Sequence, residues 1–428
     1  MAHGFSKKNQ SLAETAYRFA DFELHPADRL LKKSGTPVPL QPKAFDALLC
    51  LVRRAKHLVS KEELTHTLWP DIHVSEANLT NTIVSLRKIV GREAIATASK
   101  HGYRFELPVE GEPGIPRSTY EKFLRAKELT SRRSVNSILL ARDLYWTCLA
   151  EDPSFASAWA WLGRCCWFLD KFSSSSPANL DLAQAAFERA FAIDPDLAPA
   201  HQFYTFVEVD TGRAAEAMAR ILARLDRHPG EPESFTSLVQ VFRFRGLLQE
   251  SVDAHRRATQ LDPGILTSVA HTYFLAGDYP SAIEAYSGRA AYYLDAAAWA
   301  ALGDRKRAIA ILRERLGSMS LSELMTALMS SLLALLEGKT DEAVRLMETA
   351  DTTREPEILV YFARHYARLK RIDSAITALK RAAESGFVCA PETLISDAWL
   401  TALRKRSEFA SLLGTAETLV QEARSSFE

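Results

Sequence analysis

The stretch Ser75-Glu76-Ala77-Asn78-Leu79-Thr80-Asn81-Thr82-Ile83-Val84-Ser85-Leu86-Arg87-Lys88-Ile89-Val90-Gly91 sets Leu79, Ile83, Leu86 and Val90 on one stripe. That spacing predicts an amphipathic helix, and Gly91 marks its end. Its outward side carries Asn78, Asn81, Ser85 and Lys88 along one line, with Thr80, Val84 and Arg87 beside it.

The flanking residues make a small domain around this helix. Upstream, Ser60-Lys61-Glu62-Glu63 is a capping box that opens a short helix running to Trp69, where Pro70 and a loop through Val74 follow. Before it, Pro42 opens a helix over about 42–55 with Phe45, Leu48, Leu49 and Val52 inward. Residues 17–40 alternate apolar and polar in short steps broken by His25-Pro26 and Ser34-Gly35, which predicts short antiparallel strands. Downstream, strands at 95–98 and 103–107 flank Ser99-Lys100-His101-Gly102, a basic hairpin turn.

Strands, three helices and a terminal hairpin in this order resemble the winged-helix DNA-binding domain of the OmpR/PhoB response-regulator type. The matching blocks are Leu40-x-Pro42-Lys43-x-Phe45-Asp46-x-Leu48, Leu58-Val59-Ser60-Lys61-Glu62-Glu63-Leu64 with Leu68-Trp69, Ile83-x-x-Leu86-Arg87-Lys88, and His101-Gly102-Tyr103-Arg104-Phe105. The resemblance implies that this helix enters the major groove of duplex DNA, with base reading by Asn78, Asn81 and Ser85; asparagines suit adenine, Val84 suits a thymine methyl, and Arg87 and Lys88 near the helix end suit phosphates. It sets a wing of Lys100, His101 and Arg104 against the minor groove or the backbone. The arginines usual on that family's reading face are replaced by Val84 and Ser85. No receiver domain with a phospho-acceptor aspartate precedes the blocks, so two-component phosphorylation is not implied.

The rest of the chain has a different period. A Pro/Gly linker, residues 111–118, separates the two parts, and it is short enough to leave them in reach of each other. Beyond it Pro153, Pro195, Pro229 and Pro263 recur with spacings of 42, 34 and 34, the longer one containing the insertion Ser173 to Asn179. Trp159-x-x-Leu162-Gly163 stands in the first-helix position of a unit. Small residues fall twelve positions before the prolines at Ala141, Ala183, Ala217 and Ser251. Gly212, Gly246, Gly277, Gly303 and Gly338 mark inter-helix turns. This stretch resembles a tetratricopeptide solenoid of about six to eight helix pairs. The expected organisation is a tail at 1–14, a winged helix at 15–110, the linker, and repeats over 119–428. The fold class is thus an N-terminal α+β winged helix-turn-helix followed by an all-α tetratricopeptide-repeat solenoid.

Length and composition agree with this division. At roughly 100 to 200 residues per domain, 428 residues predict two to four domains. Apolar residues at 47% and charged residues at 25% exclude wholesale disorder and fibrous repetition. The 53 basic and 53 acidic residues balance, but residues 1–110 carry about +4 and the remainder about −4. Cys50, Cys148, Cys165, Cys166 and Cys389 form no disulfide framework or zinc-ligand spacing. The N-terminus lacks the apolar run of a secretory signal, and the most apolar window, residues 321–336, is too short and too polar to span a membrane. A reducing cytoplasm is the expected location.

No nucleotide loop, nucleophile elbow or zinc-protease motif is present, so no enzyme, metal or cofactor is expected. His271 and His365 read as packing residues. The concave side of the solenoid is expected to present Arg164, Trp167, Gln202, Phe206, Gln240, Arg243, Phe244, His271 and Phe274, a groove for a protein or small-ligand partner. Arg164 and Arg243 are expected to be its anion-binding groups, removable at little cost in stability. The function expected is a one-component transcriptional regulator of the CadC/HilA type without a membrane helix, acting on promoter DNA, as a homodimer. The alternative is a tetratricopeptide interaction scaffold whose winged helix does not act on promoters.

Overall fold

The computed structural model describes residues 16–26, 29–56, 58–69, 76–98, 101–110, 115–132, 134–172, 177–286, 293–318, 323–350 and 355–427. The expected tail at 1–14, the linker residues 111–114, and Ser99 and Lys100 of the wing lie outside these.

The N-terminal unit starts with an antiparallel meander of β1 (Tyr17–Phe19), β2 (Phe22–His25), β3 (Leu30–Lys33) and β4 (Thr36–Val38). Leu24 opposes Leu31, and Leu31 opposes Val38, so one face carries an aliphatic row. Helix α1 (Pro42–Arg53) covers that row; proline in its first turn lacks only a donor that has no helical partner. A second sheet holds β5 (Leu58–Ser60), β6 (Ile95–Ala98) and β7 (Gly102–Phe105), with β7 in the middle. Strand β5 was not expected, since three residues show no alternation to read. Helices α2 (Lys61–Leu68) and α3 (Glu76–Val90) lie between β5 and β6 in the chain. Phe45, Leu48, Leu64, Leu68, Leu79, Ile83, Leu86 and Phe105 are buried in one core, and the Phe19 and Phe105 rings meet edge-to-face at 5.0 Å. The capping box forms by half. The Glu63 amide donates to Ser60 Oγ at 3.0 Å, but its carboxylate pairs with Arg54 instead of reaching back.

The C-terminal unit consists of helices. They are α4 (Arg117–Ser131), α5 (Val135–Glu151), α6 (Ala156–Phe172), α7 (Pro177–Ile193), α8 (Ala198–Asp210), α9 (Ala214–Arg227), α10 (Pro232–Phe244), α11 (Leu248–Leu261), α12 (Val269–Leu275), α13 (Tyr279–Tyr286), α14 (Leu294–Ala301), α15 (Arg305–Ser318), α16 (Glu323–Leu336), α17 (Thr340–Ala350), α18 (Pro356–Arg368) and α19 (Ile372–Glu384). They pack as eight consecutive pairs among the described residues, a tetratricopeptide-type solenoid. Helix α20 (Pro391–Ser396), a 3-10 turn (Ala398–Lys405) and α21 (Ser407–Ser425) close the end. Ala141, Ala183, Ala217 and Ser251 are fully buried, because paired helices come close only where a small side chain stands between them. The five inter-helix glycines all have positive φ, between 73° and 89°. No helix among the described residues is long and apolar enough to cross a membrane.

The solenoid returns on itself. Lys171 of α6 pairs with Glu355 at the start of α18 (2.8 Å), and Arg243 of α10 pairs with Glu357 (3.1 Å). The Val388 amide donates to the Phe244 carbonyl at 2.9 Å, and Arg424 of α21 reaches Glu250 at 2.9 Å. The turn after α8 touches the turn after α19 so closely that a Cβ on Gly386 would stand 2.5 Å from the Gly212 Cα.

Burial in this closed body leaves two histidines hard to protonate. Burial depresses His365 to about 3, with Arg364 adding to the effect, and depresses His201 to about 4, with Arg224 and Arg220 beside it. The unfolded chain would bind protons at both below about pH 6.5, whereas the folded chain would not. Stability contributed by keeping them neutral is therefore present above that pH and falls as pH drops from 6.5 toward 4, by roughly 1.4 kcal/mol per unit for each group. Thermal melts across this window should show a shallower fall for His365→Gln than for the wild type; parallel curves would contradict it.

Candidate nucleic-acid interface and repeat cavity

Helix α3 stands on the surface of its domain with Leu79, Ile83, Leu86 and Val90 buried beneath it. The opposite face carries Asn78, Asn81, Val84, Ser85 and Lys88, all exposed in the full chain, with Val84 at 42%. Thr80 is exposed too, but its hydroxyl donates to the Glu76 carbonyl at 3.0 Å within the helix. Arg87 has a different role from the one expected. Its Nε and Nη2 donate to the Ile95 carbonyl at 2.9 and 2.7 Å, Nη2 also reaches Thr97 Oγ1 at 2.7 Å, and the guanidinium lies 5.9 Å from the Tyr103 ring. It is a strut that sets the hairpin against the helix, not a free phosphate contact.

The hairpin carries His101 exposed at its turn and Arg104 on β7, where Arg104 Nε pairs with Glu106 at 2.6 Å. Lys100 lies outside the described residues. Arg92 was not singled out in the sequence. It is exposed just after Gly91 and lines a shallow depression with Val84, Arg87 and Lys88. A basic residue directly after the helix-ending glycine was the available signal.

Residues 35–105 match the family model for the C-terminal domain of transcriptional regulatory proteins. The match covers about a sixth of the chain. The transcriptional regulator HilA of Salmonella typhimurium is 37% identical over 95 residues, which cover 21% of this chain and 17% of that protein; the HilA of Salmonella paratyphi A matches to the same extent. The chain thus aligns with about a sixth of the length of these curated relatives. Among solved structures, the DNA-binding domain of CadC from E. coli is 24% identical with a TM-score of 0.22, covering 23% of this chain and 97% of that one. The APC/C hetero-tetramer Cut9–Hcn1 covers 89% of this chain and 86% of its own at 14% identity and a TM-score of 0.40. A tetratricopeptide repeat protein from Parabacteroides merdae covers 70% and 99% at 10% identity and a TM-score of 0.28.

The N-terminal domain touches the repeats through α2 and β5. His228, just after α9, bridges Glu63 of α2 (3.4 Å) and Asp196 (2.8 Å). Asp196 in turn accepts from the buried Arg224 at 2.7 Å, and Arg224 pairs with Glu231 at 2.6 Å. Gly230 comes so near β5 that an added Cβ would stand 3.0 Å from the Leu58 carbonyl oxygen.

The first helices of successive pairs line a cavity of about 680 Å³. Of the nine residues expected on this side, Arg164, Gln202, Phe206, Gln240 and His271 line it. Arg164 lies 4.9 Å from both the Trp161 and Phe203 rings. Trp167 stacks on Phe206 at 4.7 Å and donates its indole N–H to Asp210 at 2.7 Å. Phe244 and Phe274 are core residues instead: the first packs edge-on to Phe387 at 4.9 Å, the second lies under the Arg364 guanidinium at 4.6 Å. Arg243 is also corrected. It is 2% exposed and bonded to Glu357 and to Ser268 Oγ (2.9 Å), so it is not an open anion-binding group. His271 Nδ1 contacts the same Glu357 at 3.1 Å.

The far wall, from α16 and α18, escaped the sequence reading because return of the late repeats leaves no local signal. It brings Met325, Leu328, Glu355, Glu357, Ile358 and Tyr361 to the cavity. Burial would raise Glu357, but Arg243 and His271 hold its carboxyl well below the usual range. Burial pushes Glu355 up to about 8 against the pull of Lys171. Lys171, between Asp210 and Glu355, would be lowered by burial and is held above its ordinary value by those carboxyls. Among the described residues no cluster of His, Cys, Asp and Glu could hold a metal ion.

Removing one partner of a buried ion pair leaves the other charge without compensation. Arg243→Ala should therefore destabilise the chain by about 3 to 5 kcal/mol in denaturant melts, whereas Arg164→Ala, on a half-buried side chain, should cost about 1 kcal/mol or less. Equal small losses would return Arg243 to an accessible groove.

Proposed function

We propose that the chain is a transcriptional regulator that reads promoter DNA with α3 and couples that binding to an effector or protein partner held by the repeats. The observation that carries the reading is the exposed face of Asn78, Asn81, Val84, Ser85 and Lys88 in a domain that matches transcriptional regulatory proteins. Asparagine amides bond adenine edges in the major groove, Val84 meets a thymine methyl, and Lys88 and Arg92 hold phosphates near the helix end. His101, Lys100 and Arg104 of the hairpin contact the backbone or minor groove beside it. The side chains on the α3 face stay exposed to solvent with the domain docked on the repeats. Assembly of two chains on DNA and a cytoplasmic location complete the proposal; the five cysteines, all free, fit a reducing compartment.

Selection of duplexes from a random pool by the full chain supplies the test. Asn81→Ala should weaken the selected duplex by about 1 to 3 kcal/mol and leave scrambled DNA unaffected, because base-edge bonds carry discrimination. Lys88→Ala should weaken both equally and flatten the salt dependence by about one unit of slope. Failure to select any sequence, or an Asn81→Ala loss identical on both duplexes, would remove α3 from base reading.

A further inference from the structure

The cavity in the repeats has no assigned occupant, and its wall says what kind of molecule it suits. At about 680 Å³ it falls in the size range of small-molecule sites, and it is bounded by both arms of the closed solenoid. One side is aromatic, from Trp161, Phe203 and Phe206, and the facing side is aliphatic, from Met325, Leu328 and Ile358.

The charged groups at the wall have partners within the protein, Arg164 and Lys127 among them, which lie 4.9 and 5.0 Å from the Trp161 ring. Arg243 bonds Glu357, Lys171 bonds Asp210 and Glu355, and Asp262 accepts from the Gly264 amide at 2.9 Å. The uncharged polar groups are different. The Tyr286 hydroxyl is buried without a hydrogen-bond partner among the described residues, and the side-chain amides of Gln202 and Gln240 have none there either. A buried hydroxyl left unbonded is a standing cost that a ligand group can remove. An ionised ligand would be desolvated and would have to compete with these partners for an opposite charge.

We propose that this cavity binds a small uncharged organic molecule with a flat apolar body and one hydrogen-bonding group, the body between Phe206 and Met325 and the polar group toward Tyr286 and Gln240. The inference rests on the reading of the repeats as the effector-binding part of the regulator. Because the molecule touches α8 and α10 on one side and α16 and α18 on the other, its binding favours the closed solenoid.

Two fluorescent probes with the same ring system separate the ligand classes: uncharged N-phenyl-1-naphthylamine and anionic 1-anilinonaphthalene-8-sulfonate. With the full chain, the uncharged probe should bind saturably at one site and at least tenfold more tightly than the sulfonate. Ala285→Trp, which fills the cavity from α13, should weaken it at least tenfold while the thermal melt stays cooperative. If that variant does not fold, Tyr286→Phe and Gln240→Leu carry the test, each expected to weaken the uncharged probe threefold or more. Equal or tighter binding of the sulfonate, no saturable binding, or unchanged affinity in the folded cavity variants overturns the proposal. Loss of DNA binding with probe binding intact would instead overturn the regulator reading and leave the cavity standing.

Discussion

Charges buried where the late repeats meet the early ones dominate the architecture. Arg243 with Glu357, and Lys171 with Asp210 and Glu355, sit in surroundings where an unpaired charge would be costly. An open solenoid would leave these groups on opposite arms facing solvent. The closed one requires them to be matched, and this matching sets the register in which α18 lies against α6 and α10. Arg364, also fully buried and bonded to Asp397, applies the same rule near the chain's end. The cavity exists because this return encloses the concave face that an extended array would leave as a groove.

The same economy of paired charges reaches the N-terminal domain. Arg224 is buried in the second helix of its pair and bonded to Asp196 and Glu231. His228 extends that network to Glu63, which pairs with Arg54 at the end of α1. The corner between α9 and α10 is therefore where a rearrangement of the repeats would be felt by the winged domain. Helix α10 contributes Gln240 to the cavity and follows this corner directly, so cavity and docking site share an element. Communication between them requires an occupant that prefers one arrangement of the repeats.

How much of this was legible in the sequence depended on range. The stripe of Leu79, Ile83, Leu86 and Val90 located α3, and the small residues at Ala141, Ala183, Ala217 and Ser251 located the tight contacts between paired helices, because both patterns repeat within a few turns. Strand β5 escaped because three residues carry no period. Arg87 looked like its neighbour Lys88 in sequence, yet it faces the hairpin carbonyl of Ile95 while Lys88 faces solvent. Arg243 and Phe244 belong to the correct helix but turn toward partners more than a hundred residues away, Glu357 and Phe387. A local pattern locates a face of a helix; it does not reveal that another arm of the chain covers part of that face.

The central claim is that the winged domain of this chain acts on defined DNA sites. Footprinting across the genome with the tagged full chain addresses it most directly. The account predicts discrete protected segments upstream of genes, sharing a sequence with adenine or thymine at the positions facing Asn78, Asn81 and Val84. Uniform, sequence-independent protection, or none at all, would contradict it.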